Sequence, residues 1–204
     1  MAEGVRMAAE RSLADLLAEI RSCRQCEAVL PLGPRPVLRA QASARLLVVS
    51  QAPGTRVHAT GIPWNDASGD RLRAWMGIDR ATFYDDSSIA IVPMGLCYPG
   101  RDARGGDAPP RPECAPLWHT RIMAMLPNLR LTLLVGRYAQ LRYLKKEYAT
   151  SLTATVRDWR RFMPDRLPLP HPSWRTIGWQ RKNLWFDAEL LPELRRRVRE
   201  ELDR

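Results

Sequence analysis

The stretch "ARLLVVSQAPG", residues 44–54, decides the fold. Four consecutive apolar residues, Leu46 to Val49, give way abruptly to Gln51, Ala52, Pro53 and Gly54. A short unbroken apolar run bounded by turn residues reads as a strand buried on both faces, as in a parallel sheet. Working outward, "SIAIVPM" (88–94) predicts a second such strand, with regular pairing ending at Pro93, which has no N–H to donate. "LRLTLLVG" (129–136) predicts a third, and "LPLPHPS" (167–173) a fourth, irregular one.

Helical patterns fall between these strands. Residues 12–22 place Leu13, Leu16, Leu17 and Ile20 on one face, and residues 68–77 suit a short helix ending at Gly77. Further helices are predicted over Cys114–Leu126, 137–148, 151–161 and 184–202, whereas the proline-rich residues 27–43 predict extended loop. Strands alternating with helices predict an α/β fold, with a mostly parallel sheet covered on both faces. No repeat or linker is visible, so one domain over 1–204 is expected.

No apolar run approaches membrane-spanning length, and the opening "MAEGVRMAAERSLADLLAEIRSC" is charged and lacks a leader-like apolar segment. A cytoplasmic, bacterial location is the expectation, with no membrane partner. The 32 Lys and Arg against 22 Asp and Glu give a formal charge of +10, mostly from arginine. That charge attracts polyanions through counterion release, although "ELLPELRRRVREEL" also reads simply as a solvated amphipathic helix.

The four cysteines are Cys23 and Cys26, a C-x-x-C after the first helix, and Cys97 and Cys114, which flank the loop "CYPGRDARGGDAPPRPEC". A reducing compartment disfavours disulfides. A tight pair with two distant singles suits a tetrahedral metal site or an iron–sulfur cluster. In open α/β sheets ligands bind beyond the carboxyl ends of the strands, which brings together the loops after Val49, around Pro93–Cys97 and at His171. Neither G-x-G-x-x-G nor G-x-x-x-x-G-K is present, so an ordinary nucleotide-binding enzyme is disfavoured.

"SQAPGTRVHATGIPWNDASGDRL" resembles the first motif of the iron–sulfur uracil-DNA glycosylases, in which a strand runs into Gly-Glu-x-Pro-Gly and then Gly-x-Pro-Phe. "HPSWRT" resembles that superfamily's His-Pro-Ser motif, the cysteine spacing is similar, and the likeness runs from Cys23 to about Arg195. The resemblance implies a three-layer α/β/α sandwich around a four-stranded sheet. It also implies a structural [4Fe–4S] cluster on Cys23, Cys26, Cys97 and Cys114, with zinc the competing metal.

The activity so implied is monofunctional excision of uracil from DNA by a monomer, the first step of base excision repair; no lysine is placed for a strand-cleaving Schiff base. Such chemistry extrudes the base, stabilises an oxocarbenium-like sugar with a carboxylate, and stabilises the departing anion with hydrogen-bond donors. On the resemblance, Trp64 stacks on the base, His171 donates to uracil O2, and backbone N–H groups of Gln51 and Ala52 support the base edge. Val57 and His58 line the wall near C5. Ser173, Trp174 and Arg175 engage the DNA, Trp174 as a wedge or else packed beneath its loop.

The sequence departs from the pattern twice. Gln51 stands where the family's Glu is, and Pro93 where many members carry a uracil-reading Asn. A related branch has Gly-Asp-x-Ser-Gly with a catalytic Asp, which casts Asp66 as the acid and Asn65 as a base reader. Asp66 also suits a plain helix N-cap. Two other readings stay open: a protein that binds or covalently traps uracil-DNA without turnover, and a general iron–sulfur or zinc DNA-binding module.

Overall fold

The computed structural model describes residues 12–103 and 105–203; the leader-free reading of residues 1–11 lies outside them. Four strands form the sheet: β1 (Leu46–Val49), β2 (Ile89–Ile91), β3 (Leu131–Val135) and β4 (Arg166–Leu169). They lie in the order β2-β1-β3-β4, every pair parallel. The opening stretch is therefore a central strand. Leu46 pairs with Ile89 on one side and Leu131 on the other, and β1 is buried throughout.

Alternation along β1 divides the core. Leu46 and Val48 face a cluster with Leu72 and Trp75 of α3 (Ala67–Met76) and Leu194 and Val198 of α9 (Leu191–Leu202). Leu47 and Val49 face the other layer, which holds Leu16 and Ile20 of α1 (Leu13–Arg21), Trp118 and Ile122 of α5 (Cys114–Ala124), and Ala139 and Leu144 of α6 (Arg137–Leu144). With period-two alternation, each strand buries one set of side chains in each layer, giving the expected three-layer α/β/α sandwich. No helix among the described residues is long and apolar enough to cross a membrane.

Local chemistry sets the helix ends. Ser12 and Asp15 form a capping box at the start of α1, satisfying donors the helix leaves over. Gly77 closes α3 in the left-handed conformation, as its place in the sequence predicts. Three helices lie outside the sequence expectations: α2 (Thr55–Thr60), α4 (Arg80–Phe83) and α8 (Thr176–Lys182). All are short and carry no apolar period of their own; neighbouring structure stabilises them, not propensity. The helix expected over 151–161 divides into α7 (Leu152–Arg157) and a single 3₁₀ turn, and that over 184–202 opens with a π turn at Phe186–Leu190.

Candidate active site

Beyond the carboxyl ends of β1 and β4 lies a cavity of about 290 Å³. Its walls come from the turn after β1 (Ser50, Ala52, Pro53, Gly54), from Trp64 and Asp66, from Pro93, from the cysteine loop and from His171 to Arg175. The three loops the sheet rule brings together do converge.

The first wall is built around an unusual backbone. Trp64 has a positive φ of 57°, a conformation costly for a bulky residue unless its surroundings impose it. They do. Tyr84 donates its hydroxyl to the Pro63 carbonyl at 2.7 Å, and the buried Arg73 guanidinium donates to the Trp64 carbonyl at 3.3 Å. Arg73 in turn pairs with Asp70 and lies over Phe83 and Tyr84. Helix α3 approaches so closely that a Cβ at residue 69 would fall 1.8 Å from the Trp64 carbonyl oxygen, so only Gly69 fits.

Asp66 caps α3, with Oδ1 accepting from the Gly69 N–H at 2.8 Å. Both readings of Asp66 therefore meet at one residue: a cap through one oxygen and a carboxylate in the cavity wall. Trp64 is 7% exposed, and its indole stacks on the His171 imidazole, centroids 5.4 Å apart and planes 25° from parallel. That face is occupied, so a base reaches it only if the imidazole swings aside.

The second wall is held to the sheet. Gly136, with φ 86°, donates its N–H to the Leu169 carbonyl, and a Cβ there would stand 3.6 Å from that of His171. Buried Gln140 donates to the carbonyls of Leu134 and Leu169, tying β3 to β4 just before the His-Pro-Ser turn. The His171 carbonyl accepts from Ser173 N–H and the Thr176 hydroxyl. Arg71 of α3 donates to the Ser173 carbonyl at 3.1 Å, joining the two motif loops directly. Burial lowers the His171 pKa, with Asp66 opposing, so the ring is held as a neutral imidazole with one N–H to give.

The remaining assignments divide. Ala52 and Val57 line the cavity, and no acceptor among the described residues takes the Ala52 N–H. The side chains of Gln51, Asn65 and His58 are directed elsewhere. Gln51 donates to the Ala108 carbonyl at 3.2 Å, and Asn65 accepts from Arg80 at 2.8 Å. His58 faces Tyr98 with its pKa lowered by burial and by Arg35, and is not part of the cavity lining. Trp174 is 73% exposed, with Arg175 over its ring at 5.3 Å, so it does not pack beneath its loop. Pro93 lines the cavity and its carbonyl pairs with His119, which Tyr143 holds from the other side at 2.8 Å.

A family model described as the uracil DNA glycosylase superfamily matches residues 39–195. The chain belongs to the uracil DNA glycosylase superfamily. Membership brings a general chemistry, hydrolysis of base–sugar bonds in DNA during base excision repair, and DNA as the partner. The matched span holds both motif loops and every cavity-lining residue except Val37, but begins after the Cys-x-x-Cys pair.

The four cysteines gather at a separate corner around a much smaller cavity, with Leu30, Pro34, Pro36, Leu96 and Trp118. The thiols sense one another's charge, and burial pushes Cys97 up to about 11 and Cys114 to about 12. Leu96 N–H donates to Cys114 Sγ at 3.3 Å, the kind of bond that steadies a thiolate ligand. Among the described residues no three His, Cys, Asp or Glu side chains form a group arranged to hold one metal ion. The donor set itself, four cysteines with no carboxylate or imidazole, fits an iron–sulfur cluster.

Sequence reasoning missed Arg71, Arg73 and Gln140, which position the site from a distance, and Asp107, which lines it. Only Asp107 left a trace, as the acid within the glycine-rich "RGGDAPP".

Proposed function

We propose that the protein is a monofunctional uracil-DNA glycosylase. The observation that carries this reading is the cavity at the strand ends, where Trp64, Asp66 and a neutral His171 meet within one superfamily domain. A flipped uracil enters beside Trp64. Asp66 stabilises positive charge developing on the sugar, and the N–H groups of His171 and Ala52 receive the negative charge developing on the base. With Pro93 in place of an asparagine and Asn65 turned to Arg80, the base edge is read mainly by backbone groups. Exposed Trp174 fills the gap in the duplex, and Arg175 holds the flanking phosphate.

Cys23, Cys26, Cys97 and Cys114 are the residues that would hold a [4Fe–4S] cluster. Bound there, it supplies a rigid covalent tie between the N-terminal segment and the loop over the active site. Iron and sulfide analysis of anaerobically purified protein tests this; zinc in stoichiometric amount, or no metal, overturns it.

The decisive experiment measures release of free base from oligonucleotides carrying uracil, hypoxanthine, xanthine or thymine, single- and double-stranded. Release of uracil with an intact abasic strand is expected. Tight binding without release, or a denaturation-resistant protein–DNA adduct, would replace this reading with the trapping one.

A further inference from the structure

The loop between Cys97 and Cys114 does more than connect two cysteines. Its backbone folds back on itself, Arg101 bridging Asp107 in antiparallel fashion and Ala108 N–H donating to the Gly100 carbonyl at 2.9 Å. The Gln51 carboxamide fastens it to the turn after β1. So held, the loop lays Gly105, Gly106 and Asp107 against the same cavity as Asp66 and His171. The Asp107 Oδ2 lies 3.6 Å from where a Cβ on Gly54 would stand, so the carboxylate sits over the turn that opens α2.

Nothing among the described residues hydrogen-bonds the Asp107 carboxylate, unlike that of Asp66, which is committed through one oxygen to Gly69. Among the described residues, four charged groups face it. Arg101 and Asp102 belong to its own loop, Asp66 stands at the start of α3, and Arg175 follows β4. Two acids thus share one pocket, one anchored and one unengaged.

We propose that Asp107 is a second catalytic acid of this pocket, the general base that takes a proton from the attacking water while Asp66 stabilises the sugar cation. The assignment rests on the glycosylase reading above. Its chemical reason is that one carboxylate serves both roles badly: once it accepts the water's proton it is neutral and no longer stabilises the cation. Divided between two acids, the step balances. The water oxygen bonds to C1′, the electron pair of the C1′–N bond leaves with the base as an anion, and the water proton passes to Asp107. That proton then neutralises the departing base or returns to solvent.

Burial, with the like charges of Asp66 and Asp102, raises the Asp107 pKa, while Arg101 and Arg175 oppose. A base so shifted binds a proton more strongly and is better matched to working pH. It must be ionised to act, so excision is lost as pH falls through the raised pKa, earlier than for an ordinary aspartate.

The test is single-turnover excision of uracil from a single-stranded oligonucleotide by the full chain, across pH. Asp107→Asn is expected to slow excision roughly 10²–10⁴-fold and to move the acidic limb of the profile to lower pH, leaving only the part that Asp66 contributes. Added formate is expected to restore part of the rate in Asp107→Ala. Binding to an oligonucleotide with non-hydrolysable 2′-fluoro-deoxyuridine is expected to be unchanged. An Asp107→Asn enzyme as fast as wild type, an acidic limb at the wild-type pH, a loss matched by lost DNA binding, or an altered base range at full rate would each overturn the assignment. Wild type that releases no uracil overturns the glycosylase reading itself; active wild type beside an equally active variant overturns only Asp107.

Discussion

The cavity at the strand ends and the cysteine corner are both made of loops, yet they differ in every physical respect that matters. The first is about 290 Å³ and carries two carboxylates, an imidazole and an arginine. The second is small and walled by leucine, proline and tryptophan, with burial pushing the Cys97 thiol up to about 11 and the Cys114 thiol to about 12. On the proposed function, the first takes a ligand that comes and goes and the second holds a cluster permanently. They are not independent: the chain leaving Cys97 passes over the cavity before returning to Cys114.

That comparison breaks most readily at Asp66. Asp66→Asn keeps an oxygen for the Gly69 N–H, so folding is expected to hold while excision falls on the order of 10³-fold. Unchanged excision with a lowered melting temperature would reduce Asp66 to a cap. Second in size is Cys97→Ser, expected to abolish bound iron and to lower thermal stability and excision together, since the loop over the pocket loses its anchor. Full metal content or undiminished excision in that variant would separate the two regions after all. Trp174→Ala is expected to weaken excision from duplex about tenfold, equivalent to ~1–2 kcal/mol of lost stacking, and from single strands much less. Equal loss on both substrates would remove the wedge role.

The smallest effect is a pH dependence of folding. His58, His119 and His171 are the chain's three histidines, and in the folded state burial holds each below its ordinary 6.5. The unfolded chain therefore binds more protons in this window, so stability falls as pH drops through 6.5 toward the lower folded values. Melting temperatures across mildly acidic pH should decline, and the slope should flatten in His119→Gln, which takes out a buried ring on the cysteine side of the sheet. A flat profile in wild type would contradict the burial assigned to these rings.

Much of the site was legible from local chemistry. Pro53, Gly54 and Pro63 mark the turns on either side of α2, and Asp66 ahead of a helical pattern reads as a cap that also faces a cavity. Two side chains turn away from the cavity for one cause. Asn65 and His58 stand at positions where a pocket is expected, but their directions follow from partners further along the chain, Arg80 and Tyr98. Sequence spacing fixes which residues share a loop, not which way a side chain turns when a distant partner competes for it.

By itself, then, the sequence determined the four buried strands and their order along the chain, the longer helices between them and the family likeness. Apolar runs, turn residues and motif order are all local properties. Tertiary structure alone decided that Trp64 adopts a positive φ under Arg73 and Tyr84, that its face rests on His171, and that Trp174 stands in solvent. It alone carried Asp107 into the pocket beside Asp66. Each of these depends on two segments meeting across the sheet end, and neither segment encodes the other's position.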